Sequence, residues 1–272
     1  MGCCWFRLRR SAALVLAATA GLWLGPPPVA AQNTPPGQPA RPAIACTLGH
    51  QRRLVLLALA RCCAQDLRSN PSCRDYSRSG QFVIIKDHDR AKPRGYLIIP
   101  TAPLNGIESE KIFQPPFVDF WGYGWQAALR YVNAPTAETA LAINSPHART
   151  QDQLHIHLSC VLPAVAEALA GHDGQIGFDP KNPVRLALPP HQNVYAVVKV
   201  NALTGPDSPY RVAAAMPGVA GHMGDQSIAV VGSPTAGAYY VLDTGDHDPP
   251  RRLGELLPDA FGSNDLGTRR NR

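Results

Sequence analysis

The sequence predicts an α+β fold in which helices pack against an antiparallel sheet. Short segments rich in β-branched and aromatic residues, such as residues 81–86 and 193–200, have the composition of strands. Longer segments, such as residues 46–66, carry apolar side chains at the spacing of a helix. A charged turn closed by Pro93 separates residues 81–86 from the strand-like residues 95–99, which is typical of a hairpin and therefore of antiparallel pairing.

The same patterns place the remaining elements. In chain order, we expect a helix at 46–66, strands at 81–86 and 95–99, a short helix from residue 107, a helix at 117–132, strands at 141–144 and 153–160, a helix at 161–172, a loop-rich stretch at 174–190, and strands at 193–200, 210–215, 227–231 and 238–242. Trp121, Trp125 and Leu129 share one stripe of the helix at 117–132, which predicts core packing. No repeat period stands out, although two halves with a few antiparallel strands each fit the pattern within one continuous domain.

The chain divides into four parts by composition. Residues 1–31 combine three arginines, an uncharged apolar run and small residues at 29–31, which predicts a signal peptide or, if uncleaved, an N-terminal membrane anchor. Residues 32–42 form a Pro-rich linker. Residues 43–248 are the expected catalytic domain, and residues 249–272 the expected disordered tail. The body is thus expected to face the periplasm, either attached to the bacterial inner membrane or released after cleavage.

Charge and cysteine content exclude some functions and favour others. The net charge is +6, of which three charges lie at Arg7, Arg9 and Arg10, so residues 32–272 carry only +3. That mild and scattered charge gives no reason to expect nucleic-acid binding. Five cysteines follow the leader, an odd number that permits at most two disulfides and fits an oxidising compartment: Cys46, Cys62, Cys63, Cys73 and Cys160.

The candidate site lies at residues 153–160, where polar and apolar residues alternate. On a strand, alternate residues point to the same face, so Gln153, His155, His157 and Ser159 are predicted to form one polar row. Such a row is costly unless polar groups or a ligand lie in front of it. The neighbouring Cys160 is predicted to face the core, as a buried small residue or half of a disulfide.

A pair of histidines has several uses, and spacing alone leaves them open. The two rings are a satisfied structural pair, a nucleophile and its partner, or two ligands of a zinc ion. A zinc site requires a third ligand, and no further ligand-like spacing lies nearby. A phosphoesterase with two His-x-Ser/Thr motifs is excluded, because only His157 is followed two residues later by Ser or Thr.

The surrounding residues resemble a known family. Asn144 and Gln151 precede His-apolar-His in the manner of the histidine-triad superfamily, with Ser159 where that superfamily has its third histidine. The phrases RGYLIIPT (residues 94–101), GIES (106–109) and SPHARTQDQLHIHLSC (145–160) are similar to the bacterial CDP-diacylglycerol pyrophosphatases, a divergent branch of that superfamily. The resemblance extends from about residue 46 to residue 245.

The resemblance implies a histidine-triad-like (HIT-like) antiparallel sheet and a specific reaction. The substrate would be CDP-diacylglycerol, cleaved to CMP and phosphatidate in phospholipid metabolism. His157 would be the nucleophile that forms a cytidylyl-histidine intermediate, and His155 would assist it. Ser159 would donate to the leaving oxygen, and Asn144, Gln151 and Gln153 would contact the substrate. No cofactor and no metal are implied, a membrane surface is the expected partner, and no oligomeric state is predicted.

The absence of a third histidine motivates an alternative from another class. An exported nucleotide- or lipid-binding protein would keep the fold without turnover. A metal-dependent phosphodiesterase that uses His155 and His157 as ligands is the remaining alternative.

Overall fold

The computed structural model describes residues 54–87, 93–244 and 256–257, and these form one antiparallel sheet covered by helices. The sheet has nine strands in the spatial order β1-β2-β3-β5-β4-β8-β9-β7-β6. The strands are β1 (Cys73–Ser77), β2 (Phe82–Lys86), β3 (Tyr96–Pro100), β4 (Thr139–Ile143), β5 (Ile156–Cys160), β6 (Val184–Leu188), β7 (Asn193–Val200), β8 (Ile228–Gly232) and β9 (Tyr239–Asp243). Every adjacent pair is antiparallel, so the predicted fold class is confirmed.

Four α-helices connect or precede the strands of the described chain. They are α1 (Val55–Gln65), α2 (Phe120–Tyr131), α3 (Pro163–Gly171) and α4 (Pro209–Ala214). Single turns of 3-10 helix lie at several junctions, including Glu110–Phe113 after β3 and Met223–Asp225 before β8. Within the described residues, no helix is long and apolar enough to cross a membrane. The leader, the linker and most of the tail lie outside the described residues.

The two faces of the sheet are covered differently. Helices α2 and α4 pack on one face, against a large apolar cluster that includes Leu158 and Val230. On the opposite face, α1 covers β2 and β3, while α3 covers the region from β4 to β6. Burial of apolar side chains stabilises these contacts by about 1.5–3 kcal/mol for each fully buried Leu, Ile or Val. Strand β5 lies between the areas covered by α1 and α3.

Helix α2 packs very closely against β4 and β5, on the sheet face opposite the one covered by α1 and α3. Trp121 and Trp125 lie one turn apart and are both buried, as their spacing predicts. Leu129, expected on the same stripe, is instead 41% exposed. A Cβ atom on Gly124 would lie 2.9 Å from a methyl group of Leu141, so only glycine lets the helix approach the sheet this closely.

The sheet consists of two halves with the same topology. The order β2-β3-β5-β4 in the first half matches β6-β7-β9-β8 in the second, and a helix, α2 or α4, precedes β4 or β8 in each. Strands β4 and β8 pair antiparallel and join the halves. The expectation of two halves, each built from antiparallel strands, agrees with this arrangement, and the five residues of β4 and β5 correspond one to one with those of β8 and β9.

Several sequence-based element assignments are wrong, each for a physical reason. The strand expected at 210–215 is instead helix α4 (Pro209–Ala214), and Pro209 occupies its first turn, where a missing N–H is tolerated. The expected loop at 174–190 contains β6, whose alternating burial is that of a strand. Strand β1 was not expected, because only Cys73 of its five residues is buried. Residues 46–53 of the expected first helix lie outside the described residues.

The disulfides of the described residues agree with the limit of two that the number of cysteines sets. Cys63 of α1 and Cys73 of β1 form a disulfide, and Cys62 is also disulfide-bonded. Cys160 is a buried thiol on the face covered by α2, so its predicted core position is confirmed.

Candidate active site

The two histidines lie side by side on the sheet face between α1 and α3. The centroids of the His155 and His157 rings are 5.1 Å apart, and each residue is 8% exposed. Strand β5 begins at Ile156, so His155 lies immediately before it rather than within it, which corrects the expected strand at 153–160. The predicted adjacency of the two rings is nevertheless present.

Small side chains surround His157 on one side. His157 pairs with Leu97 of β3 and with Ala142 of β4, and Ala142 pairs in turn with Ala229 of β8. Because paired residues share a face, Ala142 lies beside the imidazole, and Ala229 lies on the same face one strand further on. Helices α1 and α3 cover this same face of the sheet on either side of β5.

The tautomer of neutral His155 follows from its hydrogen bond. Its Nδ1 lies 2.8 Å from the backbone carbonyl oxygen of Gln153. A carbonyl oxygen only accepts, so Nδ1 carries the hydrogen and Nε2 presents its lone pair. The backbone at Gln153 therefore sets both the orientation and the tautomer of this ring.

Gln153 uses its side chain to hold the loop that follows β3. Its amide nitrogen donates to the carbonyl oxygens of Pro100 and Ala102 at 3.0 and 2.9 Å, and its amide oxygen accepts from the N–H of Leu104 at 3.2 Å. The residue is 1% exposed. The amide of Gln153 is thus hydrogen-bonded to the backbone of residues 100–104, and its contact with a substrate, which the resemblance implies, stays a prediction.

Asn144 and Gln151 occupy the two ends of the connection between β4 and β5. Asn144 directly follows β4, and within the described structure its Oδ1 is buried without a hydrogen-bond partner. Gln151 is half-buried, and its Oε1 accepts from the N–H of Leu56 in α1 at 3.4 Å. The structure thus places the Asn144 amide at the end of β4, the strand that pairs with β5, and the Gln151 amide near the start of α1.

Ser159 completes the row but is more buried than the histidines. It is 0% exposed, pairs with Ala140, and its Oγ has no hydrogen-bond partner among the described residues. A buried hydroxyl without a partner is unfavourable in the unliganded protein.

Sequence reasoning missed an ion pair beside the row. The guanidinium of Arg149 donates from Nη1 to Oε2 of Glu108 at 2.7 Å and from Nη2 to Oε1, and the two side chains are 6% and 30% exposed. Burial raises the pKa of Glu108, but the hydrogen bonds and charge of Arg149 and nearby backbone donors outweigh burial, so the pKa lies below the ordinary value. Both residues lie in the phrases that carry the family resemblance, but nothing in their spacing indicates a contact across 41 residues.

The second half of the sheet contributes a loop to this region. Asp225 lies 3.4 Å from Nε2 of His147 and 3.5 Å from Nδ1 of His222, with all three side chains largely exposed. The N–H of Ser145 donates to Oγ of Ser227 at 3.0 Å. The residues before β8 therefore contact the connection that carries Gln151.

The side chains of this region do not form a metal site within the described part of the chain. Among residues 54–87, 93–244 and 256–257, no group of three or more His, Cys, Asp or Glu side chains is placed to hold a metal ion.

Comparison with known proteins connects this site to a family. The model of the CDP-diacylglycerol pyrophosphatase family matches residues 51–256. This range includes the histidine row, which consists of Gln153, His155, His157 and Ser159. The chain belongs to this family. A CDP-diacylglycerol pyrophosphatase from Yersinia pestis is 35% identical over 170 residues, a match that covers 60% of this chain and 64% of that protein, slightly less than two thirds of its length.

A solved structure is similar at a lower level. The crystal structure of a DUF4931 family protein from Bacillus cereus superimposes with a TM-score of 0.36 at 10% identity, covering 62% of this chain and 84% of that chain.

Proposed function

We propose that this chain hydrolyses the pyrophosphate of CDP-diacylglycerol to CMP and phosphatidate. The observation that carries the proposal is the pair of imidazoles, with ring centroids 5.1 Å apart and each residue 8% exposed, on the sheet face between α1 and α3. Membership of the pyrophosphatase family and the similarity to the Yersinia pestis protein support this substrate.

His157 is the nucleophile in the proposed reaction. A neutral imidazole attacks a charged pyrophosphate without the repulsion that an anionic nucleophile meets, and it divides one difficult step into two. A ring nitrogen of His157 forms a bond to the phosphorus attached to cytidine while the bond from that phosphorus to the bridging oxygen breaks. Phosphatidate leaves with that oxygen. Water then cleaves the nitrogen–phosphorus bond and releases CMP.

The neighbouring groups have distinct parts in this proposal. The hydrogen bond from Nδ1 to the carbonyl of Gln153 supports a fixed His155, whose Nε2 orients His157 or, when protonated, donates to a phosphate oxygen. The Oδ1 of Asn144, which has no hydrogen-bond partner among the described residues, supports a contact to a donor on the substrate, such as a ribose hydroxyl. Ser159 is a weaker acid than a protonated histidine. Phosphatidate, a stabilised anion, is expected to leave without full protonation.

The covalent step is tested by trapping the intermediate. A phosphoramidate is labile in acid and survives base, so the enzyme is incubated with substrate labelled in the cytidylyl phosphate, quenched at high pH and digested. Label is expected on the peptide that contains both histidines. It is expected to vanish in His157→Ala and to form slowly in His155→Ala. The reverse pattern would exchange their roles, and CMP release without label in the wild type would favour direct attack by water.

The buried Ser159 favours a second candidate, a binding protein without turnover. Ser159 occupies the third position of the row and is 0% exposed, so the site has no evident general acid there. Such a protein would bind CDP-diacylglycerol and release no CMP. The purified body, incubated with CDP-diacylglycerol with and without EDTA, distinguishes turnover, binding alone and metal-dependent hydrolysis by the CMP that appears.

Export and attachment to a membrane surface are also proposed. The disulfide between Cys63 and Cys73 supports an oxidising compartment. Fractionation of cells that express the full chain, with N-terminal sequencing, tests both points. A mature start at Gln32 would indicate a cleaved leader, a start at Met1 or Gly2 a retained anchor, and recovery from the cytoplasm would contradict export.

A further inference from the structure

The ion pair of Arg149 and Glu108 connects the two loops that frame the histidine row. Arg149 lies in the connection from β4 to β5, and Glu108 lies in the segment after β3. The two hydrogen bonds are parallel, which holds the guanidinium in one orientation. Four residues later along the same connection, Gln153 is attached to residues 100–104, and the N–H of Leu154 donates to the carbonyl of Leu104 at 2.7 Å.

The surrounding backbone is shaped to accept this pair. A Cβ atom on Gly106 would lie 2.1 Å from Nη1 and 2.7 Å from Cζ of Arg149, so the guanidinium rests directly on a glycine. A Cβ atom on Gly224, in the turn before β8, would lie 3.3 Å from Cβ of Glu108. Both halves of the sheet therefore enclose the pair, and Arg149 at 6% exposure has little surface for a substrate.

We propose that Arg149 and Glu108 are positioning residues for the histidines. Their pair holds residues 145–153 against residues 100–109, and so places the carbonyl of Gln153 that fixes the ring and tautomer of His155. The inference rests on the proposed function for its kinetic consequence. Loss of the pair leaves both imidazoles chemically unchanged, but the backbone that supports them is then free to move.

Three variants perturb the pair by different means. Arg149→Lys keeps the charge but loses the fork, and Glu108→Gln puts an amide N–H₂ against a guanidinium N–H. Gly106→Ala leaves both charged residues intact and displaces Arg149. We expect each to lower kcat by about 10- to 100-fold per folded molecule with KM changed little, because misplacement of catalytic groups by about 1 Å costs that much. A rise in KM at constant kcat would instead assign Arg149 a substrate contact and overturn the proposal.

The chain offers matched controls for stability. Asp173→Asn removes the carboxylate that lies 3.4 Å from Nζ of Lys199, in an ion pair of the second half that is also largely buried. Gly171→Ala adds a Cβ atom with nothing within 4 Å. Asp173→Asn is expected to lower Tm, and both controls are expected to keep the wild-type kcat and KM. If the three pair variants lower Tm as Asp173→Asn does but keep wild-type kcat per folded molecule, the pair is structural only.

A measurement without substrate separates this inference from the proposed function. Diethyl pyrocarbonate modifies accessible imidazoles, and mass spectrometry of the digest gives the rates for His155 and His157 separately. These rates are expected to rise several-fold in Arg149→Lys and Gly106→Ala and to stay unchanged in the two controls, well below Tm. Unchanged rates in the pair variants would contradict the positioning role. If the wild type releases no CMP, the proposed function fails while this measurement still tests the pair.

Discussion

The half of the sheet from β2 to β5 and the half from β6 to β9 place their strands in the same spatial order, yet different residues lie on their shared face. His157 is the second residue of β5 and pairs with Ala142, the fourth residue of β4. Tyr240 is the second residue of β9 and pairs with Val231, the fourth residue of β8. Tyr240 is therefore the counterpart of His157, and Leu242 is the counterpart of Ser159.

The counterpart position in the second half is filled by the protein itself. The hydroxyl of Tyr240 donates to Asp173 at 2.6 Å, Ser233 and Thr235 donate to the same carboxylate at 3.1 Å each, and Lys199 lies 3.4 Å away. The hydrogen bond from Tyr240 is the main cause of an Asp173 pKa below the ordinary value, with Thr235, Ser233 and Lys199 contributing and burial opposing. In the first half, His157 pairs with Ala142 and lies beside a second imidazole, that of His155, with 8% of the residue exposed. The comparison shows that one framework supports either a closed, hydrogen-bonded polar cluster around Tyr240 or a pair of histidines, depending on a few side chains.

The largest expected effect distinguishes the two counterparts. His157→Ala is expected to reduce CMP release by about 10⁴- to 10⁶-fold, the range for loss of a central group in covalent hydrolysis. Tyr240→Phe is expected to leave kcat unchanged, because Tyr240 belongs to the closed half. Steady-state assays of both purified variants check this. Comparable losses in the two would contradict the assignment of the chemistry to the first half.

The substitution Tyr240→Phe is expected to affect the stability of the protein rather than its catalytic rate. Tyr240→Phe removes a hydrogen bond to a charged carboxylate and is expected to lower the free energy of unfolding by about 1.5–3 kcal/mol. Urea denaturation followed by circular dichroism measures the change. Tyr239→Phe, at a half-buried neighbour on the opposite face, is the control and is expected to change little. An unchanged urea midpoint for Tyr240→Phe would show that the closed cluster contributes nothing.

A smaller kinetic effect is expected from a substitution at Ser159, the last residue of the histidine row. Ser159→Ala is expected to slow hydrolysis by less than the roughly 10²–10⁴-fold that loss of a general acid costs. Its stability should be nearly unchanged or slightly higher, because the buried hydroxyl that is removed has no partner in the described part of the chain. Kinetics and urea denaturation of this variant check both. A kinetic loss as large as that of His157→Ala would make Ser159 essential.

The pH dependence of stability compares one carboxylate from each half. Glu108 and Asp173 both have a pKa lowered in the folded protein, so each stabilises the fold above its unfolded pKa and loses that contribution as the pH falls through its folded pKa. The Tm of the wild type is therefore expected to fall as the pH drops through and below the ordinary carboxyl range. Glu108→Gln and Asp173→Asn should each flatten this dependence. A variant with the wild-type slope would exclude its carboxylate as a cause.

The smallest expected effect is that of a metal chelator on the rate of CMP release. The proposed hydrolysis uses His155 and His157 directly and not as ligands of a metal ion. Full activity is therefore expected in EDTA. Activity that is lost in EDTA and restored by zinc would contradict this prediction and favour the metal-dependent alternative.

Local sequence patterns determined the fold class, most elements and the place of the candidate site. Alternation at residues 153–160 predicted the adjacency of His155 and His157, because side-chain direction on an extended chain depends only on position. The hairpin of β2 and β3 and the strand β7 followed from composition and turn residues for the same reason. These features arise within a few residues of each other, so the sequence alone carries them.

Only the tertiary structure decided which distant groups support the row. The amide of Gln153 turns toward residues 100–104, and Arg149 meets Glu108 across 41 positions, since both contacts depend on how β3 and β5 pair. The equivalence of Tyr240 and His157 likewise appears only when β4 pairs with β8 and brings the two halves into one sheet. Short segments such as α4 and β1 were misassigned or missed because six or five residues carry too little periodicity, and packing against the sheet or the Cys63–Cys73 disulfide determines their form.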